Sequence, residues 1–127
     1  MGVIRLNWKM TGDGPVYLQI MAVIRGAVLS GGYAPGERMP AVRELAAEAR
    51  VNPNTMQRAL WELEREGILV SNGTIGRAVT EDRRILDHLR QKELEKLAAE
   101  CIDKFKTLGV SAGEAGALML RLGEKEE

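Results

Sequence analysis

A single cysteine, Cys101, among 127 residues leaves no partner for an intrachain disulfide. A disulfide-stapled secreted scaffold is thereby excluded, and a reducing, cytoplasmic setting is expected. His88 is the one histidine. Zinc and nickel sensors gather several His or Cys ligands, so this imidazole is read as solvated, and no metal or cofactor is expected. No apolar run approaches the roughly 20 residues that cross a bilayer, and the first residues lack a secretory signal pattern, so no membrane partner is expected. Also absent are a phosphate-cradling glycine loop, a Cys/His nucleophile pair and a carboxylate dyad in an apolar pocket, and an enzyme is not expected.

Net charge is missing as well, since 18 Lys/Arg offset 18 Asp/Glu. The balance is uneven along the chain, with nine basic against seven acidic residues over 1–80 and nine against eleven over 81–127. Any DNA binding must therefore rest on well-placed contacts and helix dipoles rather than bulk positive charge. What is present, 45% hydrophobic and 28% charged residues, is an ordinary globular composition. The length fits one domain, or one domain with an appendage.

Residues 1–14, with the apolar Val3-Ile4-Arg5-Leu6 and the turn-forming Gly12-Asp13-Gly14-Pro15, read as an extended N-terminal arm. Over 16–30, Leu18, Ile20, Met21, Ile24, Ala27 and Val28 make a helical stripe stopped by Gly31-Gly32. Pro35-Gly36 fits the centre of a tight turn. A second helix is predicted over 40–50, burying Val42, Leu45, Ala46 and Ala49. A third runs from Pro53 to Gly67, and the short turn between them makes a helix-turn-helix. Beyond it, residues 68–70 and 77–79 can pair as two short strands around a tip with glycines at both ends. The fold class is mainly α with a small β-hairpin: a winged helix-turn-helix over 15–80, then a two-helix segment over 81–127.

In that segment a helix is expected to start at Thr80-Glu81-Asp82 and to run to Leu108. Leu86, Leu89, Leu94, Leu97, Ala98, Cys101, Ile102, Phe105 and Leu108 form one broad apolar face. Ser111-Ala112-Gly113-Glu114 is a capping box opening a last short helix, with Ala115, Leu118, Met119 and Leu122 on one side. The final Glu-Lys-Glu-Glu is expected to be disordered. So short a segment cannot bury two amphipathic faces alone. Leu86, Leu89, Leu94, Leu97, Cys101, Phe105, Leu108, Leu118, Met119 and Leu122 are therefore assigned to a two-fold homodimer seam. Packing on the chain's own winged domain is the alternative, and Cys101 is read as packed rather than redox-active.

The richest run is Val51-Asn52-Pro53-Asn54-Thr55-Met56-Gln57-Arg58-Ala59. Asn52 is a good N-cap, and Pro53 suits the first helical position because its missing N–H has no helical partner to lose. Met56, Ala59, Leu60 and Leu63 then recur at helical spacing on a buried face. The other face offers Asn54, Thr55, Gln57 and Arg58, forks of donors and acceptors suited to base edges and phosphates. Capping alone accounts for Asn52. Arg43 has a bland alternative, pairing with Glu44 or Glu48 on the surface of the second helix.

Four blocks, in order, resemble the GntR family of bacterial transcription regulators. They are Pro15-Val16-Tyr17-Leu18-Gln19-Ile20, Tyr33-Ala34-Pro35-Gly36-Glu37-Arg38-Met39-Pro40, Ala41-Val42-Arg43-Glu44-Leu45-Ala46, and the run from Val51 through Gly67. The paired-helix tail and the wing sequence are similar to the YtrA-like subfamily. The resemblance implies DNA contacts from Arg43, from Asn52, Asn54, Thr55, Gln57 and Arg58, and from a wing tip formed by Gly73, Thr74, Gly76 and Arg77. Two features depart from the pattern: a wing with one positive charge, and Trp61 where a long polar residue is usual. Trp61 is expected to cover the hairpin or the N-terminal arm, with Trp8 as a neighbour. The resemblance implies a homodimeric, sequence-specific regulator of double-stranded DNA, with repression of an inverted-repeat operator expected and an unidentified small-molecule effector compatible with it. A winged helix used for protein contact, without specific DNA binding, is the alternative that charge neutrality favours.

Overall fold

The computed structural model describes residues 6–10, 13–71, 73 and 76–126. Its elements are α1 (Val16–Leu29), α2 (Val42–Ala49), α3 (Pro53–Glu66), β1 (Leu69–Ser71), β2 (Arg77–Val79), α4 (Arg83–Lys106) and α5 (Ala112–Glu126). They divide into a first unit ending at His88 and a second running from Leu89 onward. No helix among the described residues is long and apolar enough to cross a membrane.

The first unit is built on apolar stripes. In α1, Ile20, Met21, Ile24 and Val28 are buried. Leu18, expected in that stripe, is half exposed, because it sits out of phase with the i, i+4, i+8 row of Ile20, Ile24 and Val28. In α3, Met56, Ala59, Leu60 and Leu63 are all buried. They share the core with Leu45, Ile68, Leu69 and Val79. Each large member contributes about 1.5–3 kcal/mol by leaving water.

Connections set the helix positions. Ala34 to Glu37 form a tight turn in which the Glu37 amide donates to the Ala34 carbonyl at 3.0 Å, and Gly36 takes φ 83°. Pro35 before a positive-φ glycine is the type II arrangement. The chain then pairs with the far edge of β2. Arg38 bridges Ala78, the Val79 amide donates to Glu37 O at 2.9 Å, and the Met39 amide donates to Arg77 O at 2.8 Å. This third edge was not foreseen in the sequence. It keeps residues 37–39 extended, so α2 begins at Val42 rather than at Pro40.

Between α2 and α3, Arg50 adopts φ 58° and ψ 47°. It is the one non-glycine residue with positive φ among the described residues. The turn is closed by Arg50 N donating to Ala47 O (3.3 Å) and Val51 N donating to Ala46 O (3.0 Å), the paired bonds of a Schellman motif. Gly67, φ 87°, ends α3 in the same way, with Ile68 N bonded to Leu63 O at 3.2 Å. That bond holds Ile68 in the helix cap, so β1 starts one residue later than expected. The hairpin is antiparallel, with Leu69 opposite Val79, Val70 opposite Ala78 and Ser71 opposite Arg77.

In the N-terminal arm, Leu6 is buried and the Trp8 indole donates to Glu48 Oε1 at 3.3 Å. Residues 1–5, 11 and 12 of the expected extended arm lie outside the described residues. At the start of α4, Asp82 caps the helix by accepting from the Arg84 amide at 3.0 Å.

In the second unit, Gly109 and Val110 close α4 with another pair of Schellman bonds, to Lys106 O and Phe105 O. The capping box is formed: Ser111 Oγ accepts from the Glu114 amide and Glu114 Oε1 from the Ser111 amide, both at 3.2 Å. Contrary to the expected disorder of the last residues, α5 continues through Glu126. Lys125 in its last turn complements the helix dipole there. Ala115 is the one fully buried apolar residue of this unit among those described.

A non-glycine residue in the left-handed region carries a cost of about 1–2 kcal/mol. Arg50→Val is expected to lower stability by about 1–2 kcal/mol, since a branched Cβ tolerates that region least. Arg50→Gly is expected to match or exceed the parent. Urea denaturation of the three proteins checks this, and equal midpoints for valine and glycine would contradict the conformation of the turn.

Candidate nucleic-acid interface

At 100° per residue, Asn54, Arg58, Trp61 and Arg65 fall on the side of α3 directly opposite Met56, Ala59, Leu60 and Leu63. Burial of one stripe therefore fixes the outward aim of the other. Asn54, Gln57 and Arg58 are exposed and Thr55 is partly covered. The Asn52 side chain accepts from the Asn54 amide at 2.8 Å, so its oxygen is engaged as the cap. No acidic residue occupies the first turn, and the first carboxylate along α3 is Glu62. The positive end of the helix dipole is left uncompensated where the polar side chains emerge.

The other end of α3 carries Glu62, Glu64 and Glu66, badly placed against the negative end of the same dipole. Each is met by an arginine. Arg65 reaches Glu62 at 3.2 Å within the helix. Arg25 of α1 grips Glu66 with two bonds, Nε to Oε1 at 3.1 Å and Nη2 to Oε2 at 2.6 Å. Arg77 Nε donates to Glu64 Oε1, which also accepts from Ser71 Oγ at 2.8 Å.

Arg77, expected at the wing tip, borders the tip loop, but its side chain is turned back from it. Its backbone pairs with Ser71 in the rung that borders the tip, while its side chain is largely covered. The cause is Glu64, which draws the guanidinium back onto α3. Gly73 and Gly76, at φ 55° and 97°, do lie between the strands, with open space around both. Thr74 lies outside the described residues.

Arg43, the second residue of α2, is exposed and pairs with neither Glu44 nor Glu48. Glu48 instead accepts from Trp8. This also separates Trp8 from the role expected beside Trp61. Trp61, expected to cover the hairpin or the arm, is 57% exposed, with the Arg65 guanidinium 6.0 Å from its ring centre.

Two further residues escaped the sequence reading. Arg38 is exposed and lines a cleft of about 540 Å³ between the start of α2 and the hairpin, with Pro40, Val42, Glu44, Gly76 and Arg77 among its walls. Its one signal was its place in the block after the Pro-Gly turn. Tyr17, near the start of α1, lies under Arg58, whose Cζ is 3.8 Å from the ring centre. Nothing in the local pattern of either helix marks that pairing.

The residues assigned to a dimer seam separate into two groups. Leu94, Leu97, Leu108, Met119 and Leu122 are exposed, as is Leu120, which the sequence reading left out. Leu89, Cys101, Phe105 and Leu118 are partly covered, with Cys101 Sγ 3.9 Å from Met119 Sδ across α4 and α5. Leu86, also partly covered, belongs to the first unit.

The profile of a family described as bacterial regulatory proteins, gntR family, matches residues 16–79. An uncharacterized HTH-type transcriptional regulator of Bacillus subtilis, YhcF, is 35% identical over 100 residues, covering 79% of this chain and 83% of YhcF. The HTH-type transcriptional repressor YtrA of the same organism is 47% identical over 55 residues, 43% of this chain and 42% of YtrA. Among solved structures, a GntR family transcriptional regulator from Listeria monocytogenes superposes with a TM-score of 0.81 at 31% identity, covering 88% of this chain and 98% of that one. With a helix-turn-helix closed by a hairpin and a polar, outward-facing start of α3, the chain belongs to the gntR family of bacterial regulatory proteins, which are DNA-binding transcriptional regulators.

Proposed function

We propose that two copies of this chain act together in the cytoplasm as a repressor on an inverted-repeat operator, a regulatory rather than a catalytic role. The observation that carries the reading is the exposed, carboxylate-free first half of α3, aimed outward by the burial behind it. Asn54, Gln57 and Arg58 read base edges in the major groove, while Asn52 and Thr55 lie at its flank. Arg43 and Arg38 contact phosphates, and the Gly73–Gly76 tip, with Thr74, lies against the backbone. Arg77 braces the hairpin against α3.

Residues 15–80 form the DNA-binding part in this reading and 81–127 the pairing part, with 1–14 as an arm. Support for pairing comes from the second unit, whose described residues include one fully buried alanine and leave Leu97 at 65% and Leu120 at 72% exposure. A second copy covering Leu94, Leu97, Leu108, Met119, Leu120 and Leu122 removes that surface from water. The two α3 helices would then meet successive major grooves about 34–36 Å apart. A small-molecule effector can shift this spacing only by binding two arrangements with different affinity.

Duplexes selected by the protein from a random pool are expected to share an inverted repeat, and their affinity to fall steeply between 50 and 200 mM salt. Arg58→Ala is expected to weaken binding to the selected duplex at least tenfold, or about 1.4 kcal/mol, without loss of helical content. An unchanged affinity at 100 mM salt would place α3 elsewhere. Leu97→Glu and Leu120→Glu are each expected to yield monomers in sedimentation, because a buried unpaired charge is costly. Both sites are exposed in the single chain, so a dimer that survives both substitutions means that the seam lies on another face.

A further inference from the structure

Tyr17 belongs to the Pro-Val-Tyr-Leu-Gln block at the start of α1, a block to which DNA reading gives no task. Its ring lies 3.8 Å from the Arg58 Cζ, whereas Arg58 makes no ion pair among the described residues. We infer that Tyr17 is a positioning residue for operator recognition: its ring holds the Arg58 guanidinium in the orientation that reads a base pair. This rests on the proposed role of α3.

The geometry suits that task. A guanidinium is planar, with its N–H groups in the plane and its flat faces free for stacking. With Cζ 3.8 Å from the ring centre, a guanidinium stacked on the ring keeps its in-plane edge open, the edge suited to a two-bond contact with guanine O6 and N7. A free arginine on an exposed helix samples many rotamers and must give them up on binding, a cost the stack removes beforehand. The platform is itself held. Gln19 Nε2 donates to the carbonyls of Asp13 and Gly14 at 3.1 and 3.0 Å, fixing the chain just before Tyr17. The α1 core residues Ile20, Met21 and Ile24 follow directly. The tyrosine hydroxyl has no partner among the described residues, so the ring is the working part.

The test uses the full-length chain and the duplex it selects from a random pool. Tyr17→Ala and Tyr17→Leu are each expected to weaken binding about 3- to 10-fold, with Tyr17→Phe within twofold of the parent. In the Arg58→Ala background, Tyr17→Leu is expected to have no further effect. The leucine variant keeps apolar volume, and thermal melting of each protein separates a folding defect from a binding one. Additive losses in the double variant would overturn the inference, as would a phenylalanine variant as weak as alanine, which would point to a hydroxyl–phosphate contact. Should Arg58→Ala bind normally, the reading of α3 falls. Should Arg58→Ala weaken binding while Tyr17→Leu does not, only the role of Tyr17 falls.

Discussion

The rotation of α3 about its own axis is set by Met56, Ala59, Leu60 and Leu63, and most of the first unit depends on that setting. A helix has one degree of freedom that sequence polarity alone cannot hold, and full burial of four residues on one side removes it. Turning α3 by one residue, 100°, would place an arginine or a glutamate in the core. The same packing fixes which carboxylates meet which arginines. Tyr17 meets Arg58 and Arg25 meets Glu66, so the contacts advance by eight residues along both helices, and α1 and α3 run side by side in one direction.

Around that setting, charge is sorted along α3 rather than across the molecule. The N-terminal half presents hydrogen-bonding groups and a positive dipole end. The C-terminal half holds three carboxylates, each facing an arginine from α1, β2 or α3 itself. The most exposed of these pairs, Arg65–Glu62, adds about 0–1 kcal/mol, while Arg25–Glu66 and Arg77–Glu64 are more covered. Their consequence is mainly electrostatic, since they cancel negative potential that would otherwise meet phosphate. A chain without net charge can thus offer a locally suitable surface, which removes the main argument for a pure protein-interaction role.

Much of this was legible in the sequence where the physics is local. The period of Met56, Ala59, Leu60 and Leu63, the Asn52-Pro53 helix start and the Ser111-Glu114 box each involve residues within a few positions, and the structure shows all three. Boundaries shifted where a backbone bond outside the pattern took over, as at Ile68 in its cap and at Met39 on β2. What escaped was long-range. Arg25 and Glu66 are 41 residues apart, and Arg38 finds Ala78 across the hairpin. Arg77 shows the limit best: its charge and place suggest a free wing cation, and only a glutamate 13 residues earlier, in the last turn of α3, explains its retreat.

The matched carboxylates also bear on how a regulator finds its site in a crowded genome. Non-specific DNA binding is driven almost wholly by unpaired cations, and every arginine tied to a glutamate is withdrawn from it. Arg25, Arg65 and Arg77 are so tied, and the remaining charge of the chain sums to zero. In the proposed role such a protein would dwell briefly on the millions of wrong sequences that compete for it, leaving a larger free pool at a given copy number. Its occupancy of a true site would, in that role, be governed by the few contacts of α3 rather than by a general attraction to the chromosome.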